Sequence, residues 1–249
     1  MTEVATGVHR AGSALINWYL VVDGDGVTLV DAGVPGYWPQ LDEMLAAIGR
    51  SRTDVAGLVL THGDGDHVGF GERLRTELGV PVFVHGDDVK ITTTWKQKKT
   101  EAGPGTLLEL RHRPARRIVA EIARNGGLRV PSVQSVETFS DGDELDLPGR
   151  PRVVHTPGHT DGHCVVHLAD RGVVFAGDAL CTLNVLRGTT GPALMPPAMT
   201  VNTPQALASL DRIAALDAGT VLVGHGEPWT EGTTAAVERA RAAAGTAAK

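Results

Sequence analysis

Four apolar, strand-like runs of the sequence each end beside a glycine and a histidine or aspartate, and this repetition constrains the fold more than any other feature. The runs are "GLVLT", "RVVHT", "GVVFAG" and "TVLVG". Glycine lets the backbone turn sharply after a strand, so the side chains that follow can converge. Strand ends flanked by loops are where a rigid scaffold presents binding groups. The pattern therefore predicts a sheet framework with one polar site at the ends of its strands.

Seven imidazole or carboxylate groups follow these four runs. They are His62, Asp64, Asp66, His67, His159, Asp178 and His225. A single polar residue at the start of a loop is ordinary, but seven in the same context indicate a common purpose. A mixture of imidazole and carboxylate ligands suits zinc, iron or manganese better than calcium or magnesium. The sequence therefore predicts a site for such a metal.

Strands and helices alternate along the whole chain. The stretch "ALINWYLVVDGDGVTLVDAG" is typical of two strands joined by an Asp-Gly turn. Helices are predicted over 38–49, from about Gly71 to Leu78, from Pro114 to Asn125, and after an N-cap at Thr203. Since no low-complexity linker separates the two halves, we expect one α/β domain over residues 1–249, with two packed sheets and helices outside.

The composition excludes several classes of function. A formal net charge of −6 gives no reason to expect a nucleic-acid partner or a membrane surface. Two cysteines, Cys164 and Cys181, are too few for a disulfide framework. The start "MTEVATGVHR" has no basic region followed by an apolar stretch, and no apolar run approaches the ~20 residues of a membrane span. We therefore expect a cytoplasmic protein with a small-molecule substrate, and the oligomeric state is left open.

The order and spacing of the polar groups resemble the metallo-β-lactamase-fold hydrolase superfamily, in particular its glyoxalase II or lactonase-like branch. The superfamily pattern is H-x-H-x-D-H, then a His in a TPGH-like turn, an Asp after a glycine, and a final His in GHG. This chain has "HGDGDH", "TPGHT", "AGDA" and "VGHGEP", with an early "LVDAG", so the resemblance runs from about residue 8 to 228. It implies a four-layer αββα sandwich of two mixed sheets, with two metal ions between the sheet edges.

The resemblance also implies a role for each group. His62, Asp64 and His159 would hold the first metal, Asp66, His67 and His225 the second, and Asp178 would bridge both. Asp31 would orient a ligand histidine without touching a metal, and Asp66 would also orient or deprotonate the attacking water. The implied cofactors are two divalent metal ions, and zinc is the most expected ion. Iron or manganese is the alternative at the position that holds Asp64.

Asp64 departs from the superfamily pattern, which has a histidine at this position. An aspartate oxygen reaches about as far as the near ring nitrogen of a histidine, so we expect Asp64 to coordinate the first metal. Its negative charge would weaken the Lewis acid and raise the pKa of a bound water. The harder oxygen ligand favours iron or manganese over zinc. The alternative is that Asp64 is a poor ligand and the first position is half empty.

The activity that the resemblance implies is hydrolysis of an ester, thioester, lactone or amide of a small molecule by a metal-bound hydroxide. No Gly-x-Ser-x-Gly motif points to a serine nucleophile instead. A different class of relative oxidises sulfur compounds with dioxygen at a single iron held by two histidines and an aspartate. His62, His159 and Asp178 would suffice for that mononuclear-iron alternative, so the number and kind of metal ions separate the two activities.

Residues 90–130 break the rhythm of strands. They carry ten basic and three acidic residues, a net +7 in a chain of net −6. We expect a basic helical cap inserted over the metals, which would guide an anionic substrate toward them. The alternative is a helical excursion whose basic face is merely solvated.

The sequence does not identify the residues that contact the substrate. Trp18, Tyr19, Trp95, Met195 and Met199 are the candidates, although side chains of these types pack more often in a core or loop. Two further histidines, His85 and His163, are expected to lie outside the site, and Cys181 is expected to be a buried thiol rather than a ligand.

Overall fold

Two β-sheets form the centre of the fold, which a computed structural model describes for residues 2–94, 98–103 and 106–247. Within these residues, the first sheet has seven strands side by side in chain order: β1 (Thr2–Ala5), β2 (Val8–Gly12), β3 (Asn17–Asp23), β4 (Gly26–Val30), β5 (Val55–Val59), β6 (Val82–His85) and β7 (Glu137–Phe139). The second sheet has the order β13-β10-β9-β8, and its strands are β8 (Arg152–His155), β9 (Cys164–Leu168), β10 (Val173–Gly177) and β13 (Thr220–Val223). A separate hairpin joins β11 (Cys181–Leu183) to β12 (Thr190–Ala193).

Most of the helices cover the outer faces of the two sheets. The helices are α1 (Trp38–Ala47), α2 (Gly65–Val68), α3 (Gly71–Leu78), α4 (Val89–Thr93), α5 (Arg113–Arg124), α6 (Thr203–Ala214) and α7 (Gly232–Ala247). Short 3-10 turns at Pro35–Tyr37, Arg52–Asp54, Gly86–Asp88, Thr106–Arg111, Ala169–Arg171 and Pro197–Met199 connect them. Side chains of α1, α3 and α5 pack on the first sheet, and side chains of α6 and α7 pack on the second. The result is the expected αββα sandwich, so the prediction of two mixed sheets with helices outside is confirmed.

The alternation of side chains along β3 shows how the layers are made. Successive residues of a strand point to opposite faces of the sheet. Trp18 and Leu20 therefore belong to the core under the helices, whereas Tyr19 and Val21 belong to the core between the two sheets. Phe175 on β10 packs edge-on against Tyr19, with ring centroids 5.2 Å apart. Full burial of such a side chain contributes about 1.5–3 kcal/mol, which holds the sheets face to face.

Strand direction determines where the site lies. In the first sheet β4, β5 and β6 are parallel. In the second sheet β10 is parallel to β13, and β9 runs antiparallel to both β8 and β10, so β8, β10 and β13 share one direction. The carboxyl ends of these strands therefore lie at one edge of each sheet, and every predicted metal ligand follows one of them.

Two details differ from the expectations. The N-cap of α6 is Asn202, whose side chain accepts a hydrogen bond from the Gln205 N–H at 3.0 Å. Thr203 is the first helical residue instead, and its hydroxyl donates to Glu101 at 2.6 Å. Strands β1, β2, β11 and β12 were not predicted, since they are short and lack a clear alternation of apolar and polar residues.

Among the described residues, no helix is long and apolar enough to cross a membrane.

Candidate metal centre

The structure brings all seven predicted side chains together at the carboxyl ends of four strands. The four residues of the "HGDGDH" motif lie in the loop after β5 and in α2, and the other three follow β8, β10 and β13. Five of the seven side chains are almost completely buried, and only Asp64 and Asp66 are partly exposed, at 23% and 16%. The convergence therefore takes place inside the protein, with the two aspartates on its open side.

The first predicted ligand set forms a tight cluster. Oδ2 of Asp64 lies 3.5 Å from Nε2 of His62 and 3.1 Å from Nε2 of His159. Ligand atoms about 2.1 Å from a tetrahedral ion are roughly 3.4 Å apart. The three atoms are therefore spaced as the ligands of one ion of zinc size would be.

The second predicted set forms another cluster, and Asp178 lies between the two. Nε2 of His225 is 3.5 Å from Oδ2 of Asp66 and 3.3 Å from Oδ2 of Asp178. The same Asp178 oxygen is 3.4 Å from Nε2 of His159, and the other Asp178 oxygen is 3.4 Å from Nε2 of His67. One carboxylate thus faces histidines of both sets, which is the arrangement expected of a bridging ligand.

Three of the ligand histidines are held through the ring nitrogen that faces away from the centre. Nδ1 of His67 donates to Oδ2 of Asp31 at 2.8 Å, and Nδ1 of His225 donates to the Leu15 carbonyl at 2.6 Å. The Thr61 hydroxyl donates to Asp31, so it accepts from Nδ1 of His62 at 3.0 Å. Each Nε2 therefore keeps its lone pair for a metal, because the partner of Nδ1 determines the tautomer.

Asp31 has a backbone conformation that serves this contact. Its φ is 60°, in the left-handed region that residues other than glycine rarely adopt. Both carboxylate oxygens are used, since Oδ1 accepts from the Thr61 N–H at 2.8 Å and Oδ2 accepts from His67. Asp31 therefore supports both histidines at the two ends of the "HGDGDH" motif, one directly and one through Thr61.

The polar atoms in the middle of the centre fit a bound metal. Nε2 of His62, His67 and His225 and Oδ1 of Asp178 are buried and have no hydrogen-bond partner among the described residues. An unpaired buried polar atom costs about 1–3 kcal/mol, so native proteins rarely leave several together. Imidazole nitrogen and carboxylate oxygen are the donors that zinc, iron and manganese accept. The chemistry of the donor set and its unpaired atoms both fit two divalent ions.

The electrostatics of the centre favour positive charge. Burial raises the pKa of Asp178, but the imidazoles of His225 and His67 outweigh burial and hold it well below its usual range. Burial lowers the pKa of His225, but Asp178 and Asp66 outweigh this and raise it to about 9. Burial acts in the same direction on His67, and Asp178 with Asp31 raises its pKa well above the ordinary value. Such a set of carboxylates attracts cations of any kind.

Lys98, which the sequence did not single out, brings a cation of the chain itself to the centre. Its ammonium donates a hydrogen bond to Oδ2 of Asp64 and lies 2.7 Å from Nε2 of His159. Burial raises the pKa of Asp64, but Lys98 and the neighbouring histidines hold it well below its usual range. Burial and Lys98 together lower the pKa of His159 to about 4. Two of the three predicted ligands of the first metal therefore contact one ammonium group.

His163 corrects an expectation, because it does take part in the centre. Its Nε2 accepts hydrogen bonds from the main-chain N–H groups of Asp178 and Ala179, both at 3.1 Å. Its Nδ1 must then carry the proton, which it donates to the Thr156 hydroxyl at 2.9 Å. His163 thus holds the turn that carries Asp178. His85, by contrast, stacks on His155 with ring centroids 4.1 Å apart.

A cavity of about 350 Å³ opens onto Asp64 and Asp66. Its walls are mostly apolar or hydroxyl-bearing. They come from α4 and the residues that follow it, from the segment after α5, and from the turn before α6: Ile91, Thr92, Thr94, Thr100, Leu128, Val130, Pro131 and Met199. Among the described residues that line it, Lys98 is the one basic side chain. The volume is at the small end of the range for ligand sites, so the cavity fits a small molecule.

The other candidate substrate residues have different positions. Trp18 is fully buried and packs edge-on against Phe70, and Tyr19 donates its hydroxyl to the Val223 carbonyl at 2.7 Å. Met195 is buried at a second cavity beside α7. Met199 is therefore the only one of the described candidates that lines the cavity at the centre, and Trp95 lies outside the described residues.

Of the basic side chains in the described part of residues 90–130, only Lys98 lines this cavity. Arg113, Arg116 and Arg117 on α5 are exposed, and none of them lines it. The helix buries Ala115 and Ile118 instead. Any effect of these arginines on a substrate must therefore act at long range, whereas Lys98 can act by contact.

The chain is similar to a known family and to curated proteins over much of its length. The sequence model of the "Metallo-beta-lactamase superfamily" matches residues 12–225, a range that includes all seven predicted ligands. The probable metallo-hydrolase YflN of Bacillus subtilis is 27% identical over 242 residues, which are 92% of this chain and 87% of that protein. A hydroxyacylglutathione hydrolase of Rhizobium meliloti is 26% identical over 156 residues, 62% of this chain and 45% of that protein.

Two solved structures resemble the fold closely. A metallo-beta-lactamase family protein of Thermus thermophilus, TTHA1429, has a TM-score of 0.70 and 28% identity, and the match covers 98% of this chain and 81% of the other. TTHA1623, described in a di-iron-bound form, has a TM-score of 0.58 and 28% identity, with coverage of 90% and 93%. Both matches extend over nearly the whole chain.

Proposed function

The chain belongs to the metallo-beta-lactamase superfamily, and from this premise we propose that it is a dinuclear metal-dependent hydrolase of small molecules. One observation carries the proposal. The two oxygens of Asp178 lie 3.3–3.4 Å from ligand nitrogens of both predicted sets, so one carboxylate can serve two ions. The name of the YflN relative, a probable metallo-hydrolase, supports the same class of activity.

The ligand sets follow from these distances. The first ion would be held by His62, Asp64 and His159, the second by Asp66, His67 and His225, and both by Asp178. When bound, such a pair of ions generates a nucleophile from water at neutral pH and polarises the group that is attacked. We propose zinc as the usual ion. Iron or manganese is the alternative beside the harder oxygen of Asp64, and the di-iron form of TTHA1623 is consistent with it.

Residues of the chain would orient the attacking water and would limit the access of bulk water to the centre. Asp66 lines the cavity and reaches toward His225, so it can orient the attacking water as well as bind an ion. Ile91, Val130 and Met199 form an apolar wall over the ligands. That wall limits the access of bulk water and strengthens electrostatic interactions near the reacting atoms. Residues 90–94, 98–103 and 127–132 would in this way act as a cap.

The lining of the cavity suggests the chemistry of the substrate. A small apolar acyl group fits the wall of Ile91, Leu128 and Val130, and a negative charge on the substrate would be drawn to Lys98. We therefore propose an anionic ester, thioester, lactone or amide. The match to a hydroxyacylglutathione hydrolase places thioesters first among the compounds to be tested.

The experiment begins with elemental analysis of protein purified without added metal, followed by a panel of anionic and neutral esters, thioesters and lactones. We expect two ions per chain and a hydrolytic activity that a chelator abolishes. His67→Ala and Asp178→Ala should each lose metal, and His112→Ala, which lies outside the centre, should retain it. Full metal occupancy in Asp178→Ala would refute the assignment. One iron per chain with uptake of dioxygen would favour the sulfur dioxygenase instead.

A further inference from the structure

A buried carboxylate that plays no part in the proposed reaction lies directly behind the metal centre. Asp88 ends the 3-10 turn that follows β6, and it is 1% exposed. Oδ2 accepts hydrogen bonds from the Gly63 N–H at 2.9 Å and from the Thr160 hydroxyl at 2.7 Å. Oδ1 accepts from the Gly162 N–H at 2.7 Å. All three donors come from segments distant in the sequence, so the contacts are tertiary.

The positions of these donors are specific. Gly63 lies between His62 and Asp64, and Thr160 directly follows His159. Asp88 therefore ties together the two loops that carry the predicted ligands of the first metal ion. None of its three donors belongs to the turns that carry Asp178 and His225. The ligands that directly adjoin these donors thus belong to the first metal position, whereas Asp66 and His67 of the second set follow three and four residues after Gly63.

The packing around Asp88 requires glycine on both sides. A Cβ added to Gly162 would lie 2.6 Å from the Asp88 nitrogen and 2.8 Å from its Cβ. A Cβ added to Gly63 would lie 2.5 Å from Cγ1 of Ile91 and 2.7 Å from Oγ1 of Thr92, in the helix that begins after Asp88. Asp88 and the helix that follows it therefore pack between the two ligand loops, and glycine at positions 63 and 162 permits this close approach.

Burial raises the pKa of Asp88 although its three hydrogen-bond donors oppose the rise, and with three donors facing its two oxygens a carboxylate suits this position better than an amide. Both Asp88 oxygens act only as acceptors, and hydrogen bonds to a charged acceptor are stronger than those to a neutral one. A buried charge is tolerated when it is fully hydrogen-bonded in this way. An amide would present an NH₂ group to at least one of the three donors, so the loops would separate on that side.

We propose that Asp88 is a positioning residue for the first metal ion: it sets the distance between the His62–Asp64 loop and His159, and thereby the affinity of that position. This inference rests on the proposed two-metal function. Residues that support metal ligands typically change metal affinity by 10–100-fold when they are altered. Because Gly63 and Thr160, which donate to Asp88, directly adjoin ligands of the first set only, we expect its loss to act on the first ion and to spare the second.

The test compares Asp88→Asn with Asp141→Asn in the full chain. Asp141 is a matched control, since its Oδ1 accepts from the His155 N–H at 2.9 Å and its carboxylate pairs with Arg212, away from the ligand loops. Chelated protein is titrated with Co²⁺ alone, and calorimetry and the visible absorption of bound cobalt report the two binding steps. In Asp88→Asn we expect the affinity of the first position to fall at least tenfold while the second is unchanged. Asp141→Asn should bind as wild type.

A second variant protects the test against misfolding. Thr160→Val removes one donor to Asp88 and keeps the size of the side chain, so we expect a smaller, severalfold loss at the same position only. An unchanged first position in both variants would overturn the inference, and so would an equal loss at both positions. These results are distinct from failure of the proposed function, in which wild-type protein itself would not bind two ions.

Discussion

The ammonium of Lys98 donates a hydrogen bond to the Asp64 carboxylate, at the one position where the chain departs from the superfamily's histidine pattern. The pair is 34 residues apart in sequence and largely buried, with side-chain exposures of 11% and 23%. A carboxylate can pair with an ammonium and can bind a metal, but the two cations compete for the same oxygen. The aspartate that replaces the superfamily's histidine is thus paired with a lysine of the same chain, Lys98.

Removing this ammonium should strengthen the first metal position. Lys98→Met keeps the aliphatic stem and removes a charge-assisted hydrogen bond of about 1.5–3 kcal/mol. We therefore expect the first ion to bind about tenfold more tightly in Lys98→Met, measured by calorimetry on chelated protein. Lys98→Arg keeps the charge and should bind the ion as weakly as wild type. Equal affinities in all three proteins would contradict competition between Lys98 and the ion.

Substitutions of Asp64 test whether its carboxylate binds the first metal ion. Asp64→Ala removes one of the four proposed protein ligands of the first ion, so the metal content should fall toward one ion per chain. Asp64→His restores the superfamily pattern, and we expect two ions with a shift of preference toward zinc, because imidazole is a softer donor than carboxylate. Competition between Zn²⁺ and Mn²⁺, followed by elemental analysis, measures the shift. Two ions in Asp64→Ala with unchanged affinity would show that this carboxylate is not a ligand.

The basic helix and Lys98 should act on an anionic substrate in different ways. Reversing charge at Arg113, Arg116 and Arg117 removes only a long-range attraction, since these side chains are exposed outside the cavity. We expect kcat/KM for anionic substrates to fall severalfold, with an effect that disappears at high salt. Lys98→Met should raise KM for the same substrates at any ionic strength. Equal losses for neutral analogues would argue against electrostatic guidance.

The pKa of His225 predicts how stability varies with pH in protein freed of metal by chelation. Burial lowers this pKa, but Asp178 raises it to about 9, above the ordinary value of about 6.5. A histidine whose folded pKa is raised stabilises the fold fully below the ordinary value and loses that contribution as the pH rises through the folded value. Urea unfolding should therefore show stability falling between pH 6.5 and about 9, by up to about 3 kcal/mol from this residue.

Two comparisons identify His225 as the source of that slope. His225→Gln should reduce the dependence without abolishing it, because the pKa of His67 is raised as well, and His112→Ala should leave the dependence as in wild type. Metal-loaded protein should lack this contribution, because a coordinated imidazole carries no proton on the ligand nitrogen. If stability stays constant or rises over the same pH range in chelated wild type, the raised pKa is not present.

Much of the site was predictable because its spacing is local. In "HGDGDH" the covalent chain itself places two histidines and two aspartates within six residues, and the turn after β5 needs only its glycines to present them. The remaining ligands each follow a buried apolar run, and parallel strands deliver their carboxyl ends to one edge. The αββα layers follow from the same runs, since alternating side chains must be buried on both faces of each sheet.

The packing of distant segments decided what the sequence could not. The sequence does not distinguish among the ten basic residues of 90–130, because all of them carry the same charge. Only the fold determines that Lys98 reaches Asp64 while the arginines of α5 face solvent. Trp18 is a core residue because its side chain points from β3 toward the helices that cover the first sheet.

Asp88 shows where the two kinds of information meet. It follows β6 in "VFVHGDD", the same context of an apolar run, a glycine and an aspartate that marks the metal ligands. The sequence alone therefore determined which residues gather at the strand ends. Which of them bind a metal and which hold the ligand loops was decided only by tertiary structure, because that depends on whether a carboxylate meets open space or three donor hydrogens from other segments.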